Sequence, residues 1–313
     1  MSGSDLQRMM DGLFWHGIPT LFRCPHDPDP ANADIGLVGV PHSTGNGTTQ
    51  RDQHLGPRAV RDISALGRRV HNDFGIDPWE VCRIHDLGDV ALPRANDNEA
   101  CIEDITDFYR EVGEAGCRPV SIGGDHSITG GILQGIAGEG ARLTGGEKVC
   151  LLHFDAHTDA YHNIPHFLGA VKSAAHWAGY LVEGGHVDAE HSVQVGIRGN
   201  VRTLDWLEPS YALGYEVIRK VDYDAMGPER VMEVIDERIG DRPLYITLTS
   251  TASTRRSPPV SPTSRRASRA SAWTRWCSSS ARCAARTSSA ATWSASCRRS
   301  TRPTTSPAIG RWP

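Results

Sequence analysis

The sequence changes character at residue 249, and that break limits how much chain can build a core. Every Asp, Glu, Lys and His lies before Thr249, as does every Leu, Phe and Tyr. Of the 33 Lys and Arg, 12 are arginines beyond residue 248, which leaves 21 basic side chains against all 37 acidic ones in the first 248 residues. The body is therefore strongly acidic and the tail strongly basic. The tail is mostly Ser, Thr, Ala, Arg and Pro, and it holds four of the eight Trp. With Val260 and Ile309 as its only large aliphatic side chains, it cannot bury enough apolar surface to offset the entropy of ordering it. The expectation is an α/β domain over residues 1–248 and a low-complexity tail without a stable fold over 249–313.

A basic, Ser-rich tail reads as disordered or as a nucleic-acid arm. Natural basic tails mix Lys with Arg, and this one has no Lys. A shifted reading frame accounts for it better. With G or C at most third codon positions and one G placed in front, Thr249-Ser-Thr-Ala-Ser-Thr-Arg255 reads Asp-Leu-Asp-Cys-Leu-Asp-Pro. The same operation turns Thr287-Ser-Ser-Ala-Ala-Thr-Trp-Ser294 into Asp-Val-Ile-Gly-Gly-Asp-Val-Val. Both outputs have the pattern of buried strands with acidic ends, which the residues as they stand lack.

The body alternates short apolar runs with helical periodicity. Strands are predicted at Asp34–Val40, Val81–Asp86, Arg118–Ile122, Val149–Phe154, Val193–Ile197, Glu216–Ile218 and Leu244–Leu248. Helices are predicted from Gly56 to Leu66, Asn96 to Ala115, Ile128 to Ile136, Lys172 to Val182 and Pro228 to Ile239. Such alternation implies a mostly parallel sheet covered by helices on both faces. No apolar run approaches the ~20 residues of a membrane span. The first twelve residues lack the basic start and apolar run of a secretory signal. The net charge of −4 argues against a nucleic-acid partner. Eight Cys without a C-x-x-C pair read as cytoplasmic thiols.

In parallel sheets ligands collect at the carboxyl ends of strands. Two such ends carry chemistry: Gly123-Gly-Asp-His-Ser127 and Asp155-Ala-His-Thr-Asp159. In an extended segment Asp155, His157 and Asp159 share one side. Carboxylates with imidazoles suit Mn, Fe, Ni or Zn, the carboxylate-rich sets favouring harder ions. Plainer readings stand beside this. Asp125 could simply cap the following helix. His153, inside a strand, reads as a hydrogen-bonded core residue, and His162, His166 and His176 read as rim residues.

Together these motifs resemble the ureohydrolase family of arginases, agmatinases and guanidino-acid amidinohydrolases. Leu55-Gly-Pro-Arg-Ala-Val-Arg61, Asp86-Leu-Gly-Asp89 and Gln194-Val-Gly-Ile-Arg-Gly199 support the resemblance, which covers about residues 15 to 248. It implies a three-layer α/β/α sandwich of arginase type, a binuclear Mn2+ centre (Ni2+ in some relatives) and hydrolysis of a guanidino group with release of urea. It puts His126 and Asp159 on one metal, Asp155 between the two and His157 on the other. Asp155 and His176 are the catalytic candidates, with His176 or a water carrying protons to the leaving amine. The family completes its centre with Asp-x-Asp-x-x-Asp-Pro after the next strand. Here Thr249 and Thr251 occupy the two ligand positions, and the shifted frame supplies Asp at both.

The resemblance thus implies a homo-oligomeric cytoplasmic enzyme for a small guanidino compound, impaired in the chain as it stands. The last sheet strands would be lost in the tail. The alternative is a non-catalytic homologue that serves an active one as a structural partner in a hetero-oligomer. The stretch Ser43-Thr-Gly-Asn-Gly-Thr-Thr-Gln-Arg-Asp-Gln-His54 is similar but not equal to the family's Gly-Thr-x-x-Arg-x-Gly, which favours guanidine-type or guanidinoalkanoate substrates over arginine.

Overall fold

The apolar run after Asp34 forms a strand, β1 (Ile35–Val40), buried at five of its six positions. The computed structural model describes residues 3–11, 13–46, 52–66, 70, 73–161, 170–201, 203–250 and 291–294. Seven further strands lie beside β1: β2 (Ile84–Asp89), β3 (Arg118–Gly123), β4 (Cys150–Phe154), β5 (Val193–Ile197), β6 (Glu216–Arg219), β7 (Leu244–Thr249) and β8 (Ala291–Ser294). They form one sheet in the order β2-β1-β3-β8-β7-β4-β5-β6. Every neighbouring pair is parallel.

Alternation along the strands assigns side chains to two faces. On β4, Leu151 joins one core while Cys150 and Leu152 join the other. On β7, Tyr245 and its neighbours Leu244 and Ile246 divide in the same way. The larger core packs α4 (Asn98–Glu114) through Ile102, Ile105, Tyr109 and Val112 against α5 (Ile128–Ile136) through Ile128, Ile132, Leu133 and Ile136. The second core packs Val231, Ile235 and Ile239 of α8 (Lys220–Ile239) on β4 to β7. Each fully buried aliphatic side chain of this kind contributes roughly 1.5–3 kcal/mol. Helices on both faces make the three-layer α/β/α sandwich.

Local chemistry sets the element ends. Asp97 caps α4 by accepting from the Ala100 N–H at 3.0 Å. Asp77 accepts from the Trp79 N–H at 3.1 Å and starts the short helix α3 (Pro78–Val81). The expected strand at Val81 is therefore displaced, and β2 begins only at Ile84. Helix α8 is interrupted at Gly227, with φ +78°, just before Pro228. Its second half coincides with the predicted helix Pro228–Ile239. The expected helix from Lys172 begins at Trp177 instead, as α6 (Trp177–Glu183), with His176 at its N-cap.

Two of the supporting motifs hold each other. Arg61, on α2 (Gly56–Ser64), donates to both oxygens of Asp86 at 3.0 Å and to Asp89 at 2.6 Å. Asp86 also accepts from the Leu21 N–H at 2.9 Å. Burial disfavours ionised Asp86, but the Arg61 guanidinium and these amides outweigh it and hold the carboxyl below its usual range.

The expectation that the tail supplies no strand needs correction. Ala291–Ser294 lies between β3 and β7 as β8, pairing Val120 with Ala291 and Leu248 with Trp293. The reason is backbone physics. The facing edges of β3 and β7 carry unpaired N–H and C=O groups that a strand of almost any composition can satisfy.

Candidate metal centre

The parallel sheet brings the carboxyl ends of β3, β4 and β7 to one edge. After β3 the chain turns sharply at Gly124, whose φ is +55°. A Cβ there would stand 2.6 Å from the carbonyl oxygens of Val40 and His42, so only glycine fits the turn. Asp125 does not cap the following helix, whose N-cap is Ser127; it folds the turn before it, its Oδ1 accepting from the Ser127 N–H at 2.9 Å and from the Ser127 hydroxyl at 2.5 Å. His126 is thereby directed at the β4 end.

His126 Nδ1 lies 2.7 Å from Asp159 Oδ2 and 3.1 Å from Asp155 Oδ2. All three side chains are buried. His126 Nε2 pairs with the Thr247 hydroxyl of β7 at 2.9 Å. Asp155 Oδ1 accepts from the N–H groups of Ala156 and His157 at 2.5 and 3.2 Å. His157 is the exposed member, with Nδ1 3.6 Å from Asp155 Oδ1. His153 is fully buried, its Nε2 3.5 Å from Asp155 Oδ2 and its Nδ1 3.2 Å from the Gln194 amide. Ligand atoms of His126, His153, Asp155 and Asp159 lie within 4.8 Å of one another.

The charges are strongly linked. Burial pushes His126 down, but its bonds to Asp155 and Asp159 outweigh burial and raise it to about 9. Burial would raise Asp155, yet the imidazoles of His126, His153 and His157 hold it well below the carboxylate range. The bond to Asp155 raises His157 against a smaller effect of burial. Burial lowers His153 more than Asp155 raises it.

Of the residues expected at the site, His126, Asp155, His157 and Asp159 all line one cavity of about 280 Å3. The cavity is also lined by Thr249 and Ser250 at the end of β7, and by Ala174 and Ala175. His176 is not among the lining residues; its Nδ1 bonds to the Ser173 hydroxyl at 2.9 Å. Thr251, His162 and His166 lie outside the described residues.

Sequence reasoning assigned no role at the site to three supporting residues. The Trp177 indole N–H donates to Asp159 Oδ2 at 2.9 Å, and its ring packs 4.6 Å from that of His126 and 5.0 Å from that of His153. Gln194 joins His153 to the Thr158 carbonyl. Thr247 holds His126. Gln194 and Thr247 are polar residues inside apolar strands, and that was a readable signal. Trp177 offered none, because an apolar ring at a helix start reads as core.

The donor chemistry fits one divalent ion. Two carboxylates and neighbouring imidazoles converge, as such ions require. It does not fit a pair. Two divalent ions repel each other and need several anionic ligands to offset dehydration. The β7 side of the cavity contributes only neutral hydroxyls from Thr249 and Ser250 among the described residues.

Similarity to known proteins follows the same boundaries. Guanidinopropionase of Pseudomonas aeruginosa is 33% identical over 235 residues, covering 74% of this chain and 69% of that protein. The mitochondrial guanidino acid hydrolase of Homo sapiens is 32% identical over 233 residues, covering 74% of this chain and 62% of that protein. Among solved structures, proclavaminate amidinohydrolase of Streptomyces clavuligerus superposes with a TM-score of 0.67 at 27% identity, covering 76% of this chain and 75% of that one. The chain thus spans about two thirds of the length of these curated relatives. The Arginase family matches residues 33–250, through the end of β7, and the chain belongs to that family.

Proposed function

We propose that the gene for this chain specifies a metal-dependent hydrolase that cleaves a C–N bond of a small guanidino compound and releases urea. We further propose that the chain as it stands is impaired. The convergence of buried His126, Asp155 and Asp159 on one point supports the first statement. Thr249, in the cavity where the family places a carboxylate, supports the second.

His126, Asp155, Asp159 and His157 would hold the metal, Mn2+ or Ni2+. Such ions, when bound, make water a nucleophile at neutral pH. The chain's other groups position these ligands. Donation from His126 Nε2–H to the Thr247 hydroxyl leaves Nδ1 free of its proton for the ion. The Trp177 N–H fixes the rotamer of Asp159 through Oδ2. His176 or a water would carry the proton to the leaving amine; His176 follows the lining residue Ala175, and its Nδ1 bonds to the Ser173 hydroxyl at 2.9 Å. Three carboxylates in the lining, Asp125, Asp155 and Asp159, suit a cationic guanidinium.

The frame shift at residue 249 belongs to this reading. The family match stops at residue 250, where the composition changes. In the shifted frame the residues of β8 read Gly-Asp-Val-Val, a far better central strand than Ala-Thr-Trp-Ser. A cytoplasmic setting fits the free thiols of Cys24, Cys82, Cys101, Cys117 and Cys150. Thr249 alone favours the second reading, a non-catalytic partner subunit.

Restoring the frame at codon 249 tests the proposal. The Mn2+-loaded product should release urea from at least one of 3-guanidinopropionate, 4-guanidinobutyrate, agmatine, guanidine or arginine. No urea from any of them would overturn the hydrolase reading and leave the partner subunit.

A further inference from the structure

Two residues in the first turn of α4 reach across to the segment that leads into the cavity wall. One carboxylate oxygen, Glu99 Oε1, accepts from the backbone N–H groups of Val171 and Lys172 at 2.7 and 2.9 Å. The buried Asn98 amide donates through Nδ2 to the Lys172 carbonyl at 3.0 Å and to Glu99 Oε1 at 3.2 Å. Both partners of Nδ2 are acceptors, so the amide has one orientation, and its Oδ1 accepts from His42 Nε2 at 3.1 Å. Burial would raise Glu99, but the Lys172 N–H, Asn98 and the Val171 N–H outweigh it and hold the carboxyl below its usual range.

The fastened segment continues directly into the lining residues Ala174 and Ala175. The Ala174 N–H donates to the Gly45 carbonyl at 3.0 Å, and the Ala175 carbonyl accepts from the Tyr161 N–H at 3.2 Å. On its other side Asn98 holds His42, whose carbonyl accepts from the Asp125 N–H at 2.9 Å in the turn that carries His126. Asn98 therefore links that turn to the wall, while Glu99 secures the wall. Hydrogen bonds to an ionised carboxylate are roughly twice as strong as neutral ones, which makes Glu99 the stronger fastening.

Resting on the hydrolase reading above, we propose that Glu99 and Asn98 are positioning residues that set the cavity wall at Ala174 and Ala175 and thereby select the substituent on the guanidino group. The reacting carbon of a guanidino compound belongs at His126, Asp155 and Asp159, where the metal would sit. Its substituent then extends along the remaining lining, of which Ala174 and Ala175 are part. Their methyl side chains leave room and offer apolar contact, which suits the methylene chain of a guanidinoalkane. Guanidinium itself has no substituent and does not need that wall. The clamp therefore acts on compounds that carry a chain and not on the group that reacts.

The test titrates the full-length chain, with Mn2+ present, against agmatine, 4-guanidinobutyrate and guanidinium chloride by calorimetry. Glu99→Ala removes the acceptor of both amides. It should weaken whichever chain-bearing compound the parent binds at least fivefold and move guanidinium less than twofold. Glu99→Gln keeps an acceptor oxygen for both amides and should recover most of that loss, which a general folding defect would not allow. Bound Mn2+ should not change in either variant, and hydrogen exchange over residues 171–175 should speed up in Glu99→Ala. Equal weakening of all three compounds overturns the proposal, as does faster exchange with the affinity for the chain-bearing compound unmoved. Binding of none of the three by the parent overturns it as well, since the cavity then takes no guanidino compound. The two readings fail separately: no urea from frame-restored protein with the binding pattern intact removes the hydrolase and keeps the clamp, whereas urea release with KM unmoved in Glu99→Ala removes the clamp alone.

Discussion

One wall of the cavity, built by the ends of β3 and β4, presents buried His126, Asp155 and Asp159, the ligands we propose. The wall built by the end of β7 presents the hydroxyls of Thr249 and Ser250. The backbone beneath both is equally regular: β4 and β7 pair in register from Cys150–Leu244 to Phe154–Leu248. The difference is therefore chemical and not architectural. The same regular backbone can thus present quite different side chains at two neighbouring strand ends.

The most damaging change strikes the rich wall. Asp155→Ala removes the partner of three imidazoles and the largest of the interactions that raise His126. Of the two carboxylates beside His126, Asp159 alone would remain. Loss of one partner of a buried pair costs about 3–5 kcal/mol, and with Asp159 remaining we expect the lower end. Denaturant unfolding of the metal-free chain should read this loss, and the frame-restored enzyme should lose turnover. A change below 1 kcal/mol would mean that the wall is not a linked charge cluster.

The reverse experiment enriches the poor wall. Thr249→Asp places a carboxylate in the cavity, so Mn2+ affinity should rise at least tenfold. Competition against a fluorescent chelator measures this, and an unchanged affinity would mean that residue 249 does not reach the ion.

Trp177→Phe keeps the ring against His126 but removes the N–H donated to Asp159. Outer partners of metal ligands typically account for 10–100-fold in affinity. Because Asp159 keeps its His126 contact, we expect the lower figure, with about 1 kcal/mol lost in stability. An effect on stability without one on Mn2+ affinity would make Trp177 a packing residue only.

The smallest effect comes from a charge cluster whose partners are all in place, Arg61 with Asp86 and Asp89. Asp86 lies below its usual range in the folded chain, so its stabilising effect is complete above about 3.9, the unfolded value, and is lost as pH falls through the lower folded one. Unfolding free energy should therefore fall between about pH 5 and 2, and Asp86→Asn should flatten that fall at the expense of stability at pH 7. An equally steep fall in the variant would assign the acid sensitivity elsewhere.

How much of this was legible in the sequence depends on the range of the interaction that decides it. Val193–Ile197 read as a strand because a short apolar run can only be buried. The start of β2 was misplaced by three residues because the Asp77 cap, a local competitor, extends a turn of helix to Val81. As they stand, residues 291–294 could not be found as a strand, since their place is set by the open edges of β3 and β7, more than 40 residues away along the chain; only the shifted reading of residues 287–294 carried a strand pattern. At the site, His126, Asp155, His157 and Asp159 sit in compact motifs and were readable. Trp177 was not, because only the folded sheet edge brings it to the cluster.

The contrast between the walls reduces to a count of ions. The chain as it stands, saturated with Mn2+, desalted and analysed by elemental mass spectrometry, should retain at most one ion per chain, and the frame-restored chain should retain two. Two tightly held ions in the chain as it stands would contradict the account, because the hydroxyls of the β7 wall would then be doing what we assign to carboxylates.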